Sequence, residues 1–145
     1  MSKVDQAIER FKNGANCAQA VACTYADELG VDESTLEQVT AGFGAGINGL
    51  GGTCGALAGA IALVGFKAYQ NLEVVSPTRE IAYPLCDRIQ NAFVLKQGYS
   101  TCHEILAHNT DEVIDNKKTC CVRAVSNACH IIEEYLLEKG EENGN

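Results

Sequence analysis

Apolar residues recur along the chain at three- and four-residue spacings, and the interruptions fall at glycine, proline and capping residues. Val4, Ile8 and Phe11 set one face of a short first helix that Asn13-Gly14 ends. Asn16 is placed to cap a second helix, Cys17 to about Leu29, stopped by Gly30. Ser34 opens a third, STLEQVTAGF, and a fourth of small apolar residues runs from Cys54 to about Gln70. Gly55 and Gly59 share a face of that fourth helix, where missing side chains permit close approach of a neighbour. Pro77 starts a fifth helix, in which Pro84 predicts a kink or break and Gly98 a stop. Thr101 and Glu104 form a capping box for a sixth, and Thr119 caps a last helix running to about Lys139. No segment alternates convincingly as a strand. The pattern predicts an all-α fold: a single compact domain of about six to seven helices over residues 1–139, with a polar tail at 140–145.

One stretch breaks the helical pattern. Gly42 to Gly59, GFGAGINGLGGTCGALAG, is nearly half glycine, against a usual level of about 7%. Its first part, Gly42 to Gly52, is too glycine-rich for a stable helix or ordinary strand and reads as a tight loop that brings backbone close to something. Thr53 then supplies an N-cap, and Cys54 falls in the first turn of the helix that follows. A thiol there faces the positive end of the helix dipole, which lowers its pKa and favours a reactive or metal-binding thiolate.

Charge and cysteine content narrow the chemistry. The net charge of −8 argues against a nucleic-acid backbone or an anionic membrane surface as partner. The longest apolar run, Ala56 to Phe66, is too short to span a bilayer, and the N-terminal MSKVDQAIERF lacks an apolar signal region. The expected location is therefore cytoplasmic, where structural disulfides are rare, and eight cysteines need another explanation.

Four helix starts carry cysteine directly after a capping residue: Asn16-Cys17, Thr53-Cys54, Thr101-Cys102 and Thr119-Cys120-Cys121. If these starts converge, a cluster of thiolates is surrounded by orphan backbone N–H donors that stabilise negative charge on sulfur. Spacing alone does not choose between Cys120 and Cys121. Cys23, Cys86 and Cys129 lie mid-helix and read as small packing residues. Cys23 is about 240° around the helix from Cys17, and Cys129 is about 12 Å along the axis from Cys121. Cys102-His103 and Cys129-His130 are sequence neighbours that point about 100° apart on a helix, so their adjacency is no evidence of a catalytic pair and a solvated or core histidine is expected. His108 follows the sixth helix, where it suits a C-terminal charge partner. Gly44 to Gly49 matches G-x-G-x-x-G, yet no strand precedes it and no βαβ unit follows, so no nucleotide is expected.

With NCAQAV at 16–21, the glycine stretch at 42–59, TCHEIL at 101–106 and CVRAVSNACHIIEEYL at 121–136, the chain resembles the redox-active protein family named for the pattern C…GCAxxG…C…C. The motif written GCAxxG in that name stands here as Cys54-Gly55-Ala56-Leu57-Ala58-Gly59. The resemblance covers nearly the whole chain and implies that Cys17, Cys54, Cys102 and Cys121 are the family cysteines, with Cys121 fitting better than Cys120. It also implies a relation to a domain of split-Soret cytochromes, which stands beside haem and a non-haem iron site. This chain has no C-x-x-C-H, so covalent haem is not expected.

The function expected is redox: an iron–sulfur cluster held by Cys17, Cys54, Cys102 and Cys121 for electron transfer, with Gly51, Gly52 and Gly55 bringing backbone close to it. The alternative is a metal-free thiol/disulfide protein, an oxidoreductase in which two of the same cysteines cycle. A structural Cys₄ zinc site in an interaction module comes third, because paired short cysteine spacings are missing. A redox partner protein is implied without being identified, and a homodimer is left open.

Overall fold

The computed structural model describes residues 1–70, 72–73, 76–108, 113–114 and 116–137. Its fold is all-α. The first helix, α1 (Lys3–Lys12), is capped by Ser2, whose side chain accepts from the Asp5 N–H, and it buries Ala7 and Phe11. The second, α2 (Cys17–Thr24), opens on a complete capping box between Asn16 and Gln19. It ends at Tyr25, and a short turn, α3 (Ala26–Leu29), follows before Gly30 leaves it at φ 71°. The cap of α4 (Glu33–Val39) is Asp32, which accepts from Thr35 N–H, so the helix begins just before the expected Ser34.

Three of the helices expected from the pattern are broken, the first of them the one expected from Cys17 to about Leu29, which divides at Tyr25. The small-residue helix divides at Leu63 into α5 (Gly55–Ala62) and α6 (Val64–Ala68). The Pro77 helix divides at Ala82 into α7 (Thr78–Ile81) and α8 (Tyr83–Gln97), with Pro84 in the first turn of α8, where a missing N–H costs nothing. After Gly98 at φ 98°, the Thr101 side chain caps α9 (Cys102–Ala107) by accepting from Glu104 N–H. The last helix, α10 (Thr119–Ile132), continues as a π-helical turn, Glu133–Leu137. Lys118 stands at its cap position and Thr119 is already helical, a shift of one residue from the expected cap. The end expected near Lys139 and the tail at 140–145 lie outside the described residues.

A two-residue hairpin was not expected. Antiparallel β1 (Val113–Ile114) and β2 (Lys117–Lys118) pair Val113 with Lys118 and Ile114 with Lys117, and Asn116 takes a left-handed φ of 69° in the turn. Strands this short carry too few positions for alternation to register.

The core is built on α10, which packs against α1, α2, α5 and α8. Alanine lines these contacts (Ala18, Ala20, Ala56, Ala60, Ala124 and Ala128 are all buried), so helix axes come close. α2 and α5 approach closely: a Cβ on Gly59 would fall 2.7 Å from the Ala18 carbonyl oxygen. Tyr25, fully buried at the end of α2, donates its hydroxyl to Glu133 at 2.6 Å and so ties α2 to the far end of α10. Among the described residues no helix is long and apolar enough to cross a membrane. This packing sets the starts of α2, α5, α9 and α10 at a common end of the molecule.

Candidate functional site

The loop before α5 runs backwards. Ala45, Gly46, Ile47, Asn48 and Gly49 all have positive φ, from 52° to 78°. Three of the five are not glycine; Asn48 adopts this backbone readily, but at Ala45 and Ile47 it costs about 1–2 kcal/mol each. Ile47, β-branched at φ 70°, is the sharpest case. The turn is held by Asn48 N–H to Gly42 O at 2.8 Å and Gly52 N–H to Gly46 O at 3.0 Å. Gly46 is required at its position, because a Cβ would lie 2.6 Å from Gly52 N and 2.8 Å from the Cys102 Cβ.

The same loop locks two cysteines into register. Thr53 pairs with Thr101 in an isolated antiparallel bridge, and Cys54 N–H donates to Ser100 O at 2.8 Å. Cys102 N–H donates to Gly52 O at 2.7 Å and His103 N–H to Gly51 O at 3.1 Å. Two expectations are corrected here. Thr53 is not the N-cap of α5, since it is used in the bridge and Cys54 itself takes the cap position without a side-chain bond. The first N–H groups of α9 are not orphans, because the glycine-loop carbonyls accept them. Asn16 ties the start of α2 to the loop through its Nδ2, which donates to Ala41 O at 3.0 Å.

These constraints bring Cys17, Cys54, Cys102 and Cys121 to the lining of one cavity of about 320 Å³, at the low end of the usual range for ligand sites. Ala45 of the left-handed loop, Phe11 of α1 and the hairpin lysines complete its wall. Gly55 also lines it, and a Cβ there would overlap Cys17 Sγ. Gly51 and Gly52 stand behind Cys102 as hydrogen-bond acceptors rather than in this wall. Of the doublet, Cys121 lines the cavity, whereas Cys120 is 3% exposed and not part of the lining. Cys23 and Cys129 are buried and Cys86 half-buried, none of them at the cavity. His103 and His130 are exposed, and His108 stacks on Tyr99 with ring centroids 4.4 Å apart. All eight cysteines are free thiols. Among the described residues no three His, Cys, Asp or Glu side chains are set to hold a single ion.

Electrostatics corrects a further expectation. Burial pushes the Cys54 thiol up to about 12, reinforced by the nearby Cys17, although the N–H groups of Leu57 and Ala56 favour its thiolate. Burial likewise pushes Cys121 up to about 12, with Cys120 the next cause. Cys17 and Cys102 are also raised, burial again first. At Cys17 the N–H groups of Ala45, Ala18 and Ala56 face the sulfur and oppose the shift. The helix starts therefore act in the expected direction, but desolvation outweighs them, and no site thiol is lowered.

A stability prediction follows for the metal-free, reduced protein. The unfolded thiols titrate near 9.0, while folded Cys54 and Cys121 hold their protons to about 12. Folding stability is thus unaffected at neutral pH and falls as pH rises above 9.0, because the unfolded chain releases protons that the folded one retains. Urea midpoints measured with reductant should be lower at pH 10 than at pH 8. Equal midpoints would contradict buried, raised thiols.

Two features of the site escaped the sequence: the left-handed turn through Ala45 and Ile47, and the hairpin that brings lysines to the wall. Only the last two residues of the hairpin, Lys117-Lys118 just before the Cys120-Cys121 doublet, offered a signal.

Four thiols delivered by separate helix starts to one cavity, with a reversed glycine loop as its wall, define a small all-α cysteine-site protein. Residues 15–135 match the family described as "Putative redox-active protein (C_GCAxxG_C_C)", and the chain belongs to that family. A protein of Archaeoglobus fulgidus described as "Uncharacterized protein" is 29% identical over 144 residues, covering 92% of this chain and 93% of its own length. No solved structure matches the chain.

Proposed function

We propose that this protein carries electrons by means of an iron–sulfur cluster held through Cys17, Cys54, Cys102 and Cys121. The observation that carries the reading is the convergence of these four thiols, from four helix starts, on one cavity of about 320 Å³. The donor set fits: thiolates are the ligands such clusters take. Burial and mutual repulsion make each thiolate costly alone, a penalty that a bound cationic centre relieves. A single tetrahedral zinc is disfavoured, since no three of the described side chains are set around one ion. The missing side chain at Gly55 leaves the Cys17 sulfur its place.

When bound, the cluster would supply one-electron transfer at a potential set by its charge, sulfur hydrogen bonds and exposure. The chain's own residues do the rest. The Thr53–Thr101 bridge fixes Cys54 against Cys102, the Ala45, Ala18 and Ala56 N–H groups face the Cys17 sulfur, and Phe11 and Ile105 give the wall apolar surface. Cys102 also lines a surface groove beside Gly49 and Leu106, which makes it the ligand nearest a partner protein.

The second reading, thiol–disulfide exchange, is favoured by that same opening at Cys102. Two thiols would release two electrons and two protons to a partner disulfide as their own S–S bond forms. Against it stands the absence of a lowered thiol in the cavity. Anaerobic purification and visible absorption separate the two. A brown protein that bleaches on one-electron reduction is expected; a colourless protein with a reversible disulfide among these four cysteines would establish the second reading instead.

A further inference from the structure

The wall of the cysteine cavity runs against the composition of the chain. Asp and Glu number 19 against 11 Lys and Arg, yet the charged side chains lining this cavity are Lys117 and Lys118, with no carboxylate among the described lining residues. The two lysines differ. Lys118 is exposed, whereas Lys117 is half-buried and its Nζ lies 4.6 Å from the centre of the Phe11 ring. Phe11 is 7% exposed and lines the same cavity, so the ammonium is held over an aromatic face at the site rather than free in solvent. The hairpin that carries it, turned through left-handed Asn116, leads directly into α10 and Cys121.

A cluster bound by four thiolates is a net anion, and reduction adds one more negative charge. We infer that Lys117 is a positioning charge for that anion: it favours the reduced state and raises the reduction potential without contacting metal. The inference rests on the cluster reading above. At an effective dielectric near 20, a unit charge within about 10 Å of such a centre changes its one-electron equilibrium by roughly tenfold or more. Lys117→Met should therefore shift the one-electron equilibrium roughly tenfold toward the oxidised form, equivalent to about 59 mV more negative. Lys117→Arg should restore the potential, and Lys67→Met on α6, which removes the same charge away from the cavity wall, should leave it unchanged.

A readout without cofactor accompanies the potentials. In the metal-free protein the Lys117 methylene protons next to Nζ should be shifted upfield by the Phe11 ring, and Phe11→Leu should abolish that shift. Redox titration of the reconstituted variants then decides. A lowered potential in Lys117→Met with recovery in Lys117→Arg supports the role, while equal potentials in all three proteins overturn it. If Lys117→Met does not load, Phe11→Leu takes its place, since it releases the ammonium while keeping the charge; an unchanged potential there, with the upfield shift lost, overturns the role. Wild-type protein that takes up no iron and sulfide overturns the cluster reading itself, and this inference with it.

Discussion

Gly55→Ala is expected to cost the protein its cluster while leaving its helices in place. The added methyl would overlap Cys17 Sγ and come 3.0 Å from the Phe43 carbonyl oxygen. Within α5 the exchange is otherwise favourable, since alanine exceeds glycine in helix propensity by about 0.8–1 kcal/mol. Overpacking of this kind costs about 1–3 kcal/mol, which exceeds the propensity gain by up to about 2 kcal/mol, so the variant should be less stable but still folded. The sulfur of Cys17, however, has to leave its place. Reconstituted Gly55→Ala should hold less than about a tenth of the wild-type iron, with circular dichroism unchanged, because a cluster that loses one ligand loses its closed coordination. Wild-type iron content in the folded variant would remove Cys17 from the ligand set.

Substitution of the thiols themselves should divide the eight cysteines into two groups. Cys54→Ser replaces a soft thiolate donor with a hydroxyl that stays protonated at neutral pH, and it should abolish stable iron binding. Cys86→Ala, at a half-buried position on α8 outside the cavity, should retain the full iron content. The doublet provides the finest comparison. Cys121→Ser should behave like Cys54→Ser, since Cys121 lines the cavity, while Cys120→Ser should mainly lower stability by placing a hydroxyl in a buried position. Iron content after reconstitution, alongside urea midpoints, checks all four variants. Equal losses for Cys86→Ala and Cys54→Ser would contradict the assignment.

Much of this arrangement was legible in the sequence, for definite physical reasons. Helix starts are written locally, in short side chains that accept backbone N–H bonds, and Asn16 and Thr101 cap where they were expected to. The cysteines one residue later could therefore be placed in first turns before any tertiary contact was known. The glycine stretch announced a loop with backbone in close contact, and Gly46 and Gly55 show that contact at Cys102 and Cys17. What the sequence concealed depends on packing. Thr53 has a capping side chain, but the pairing with Thr101, distant in sequence, took priority over the cap. Ala45 and Ile47 give no local sign of left-handed backbone, because neither a methyl nor a β-branched side chain favours it. The lowered thiol pKa expected from the helix dipole was wrong in sign, since a dipole effect of about 0.3–1 kcal/mol is smaller than the desolvation of a buried thiolate.

The strain at Ala45 and Ile47 fits the same account. A loop that only connected α4 to α5 would have no reason to hold five successive residues at positive φ. Here the reversed turn places the Ala45 N–H at the Cys17 sulfur and the Gly51 and Gly52 carbonyls on the start of α9. Strain of this kind persists where the surroundings over-determine it, and the hydrogen bonds that do so are the ones that position two of the four thiols.

The central claim is that the four-thiol cavity holds an iron–sulfur cluster, and the most direct test is iron and acid-labile sulfide per chain in protein purified without oxygen. The account predicts that both are present in comparable amounts, and that both are lost together in Cys54→Ser. Wild-type protein prepared this way with neither iron nor sulfide, or with zinc and no sulfide, would contradict it.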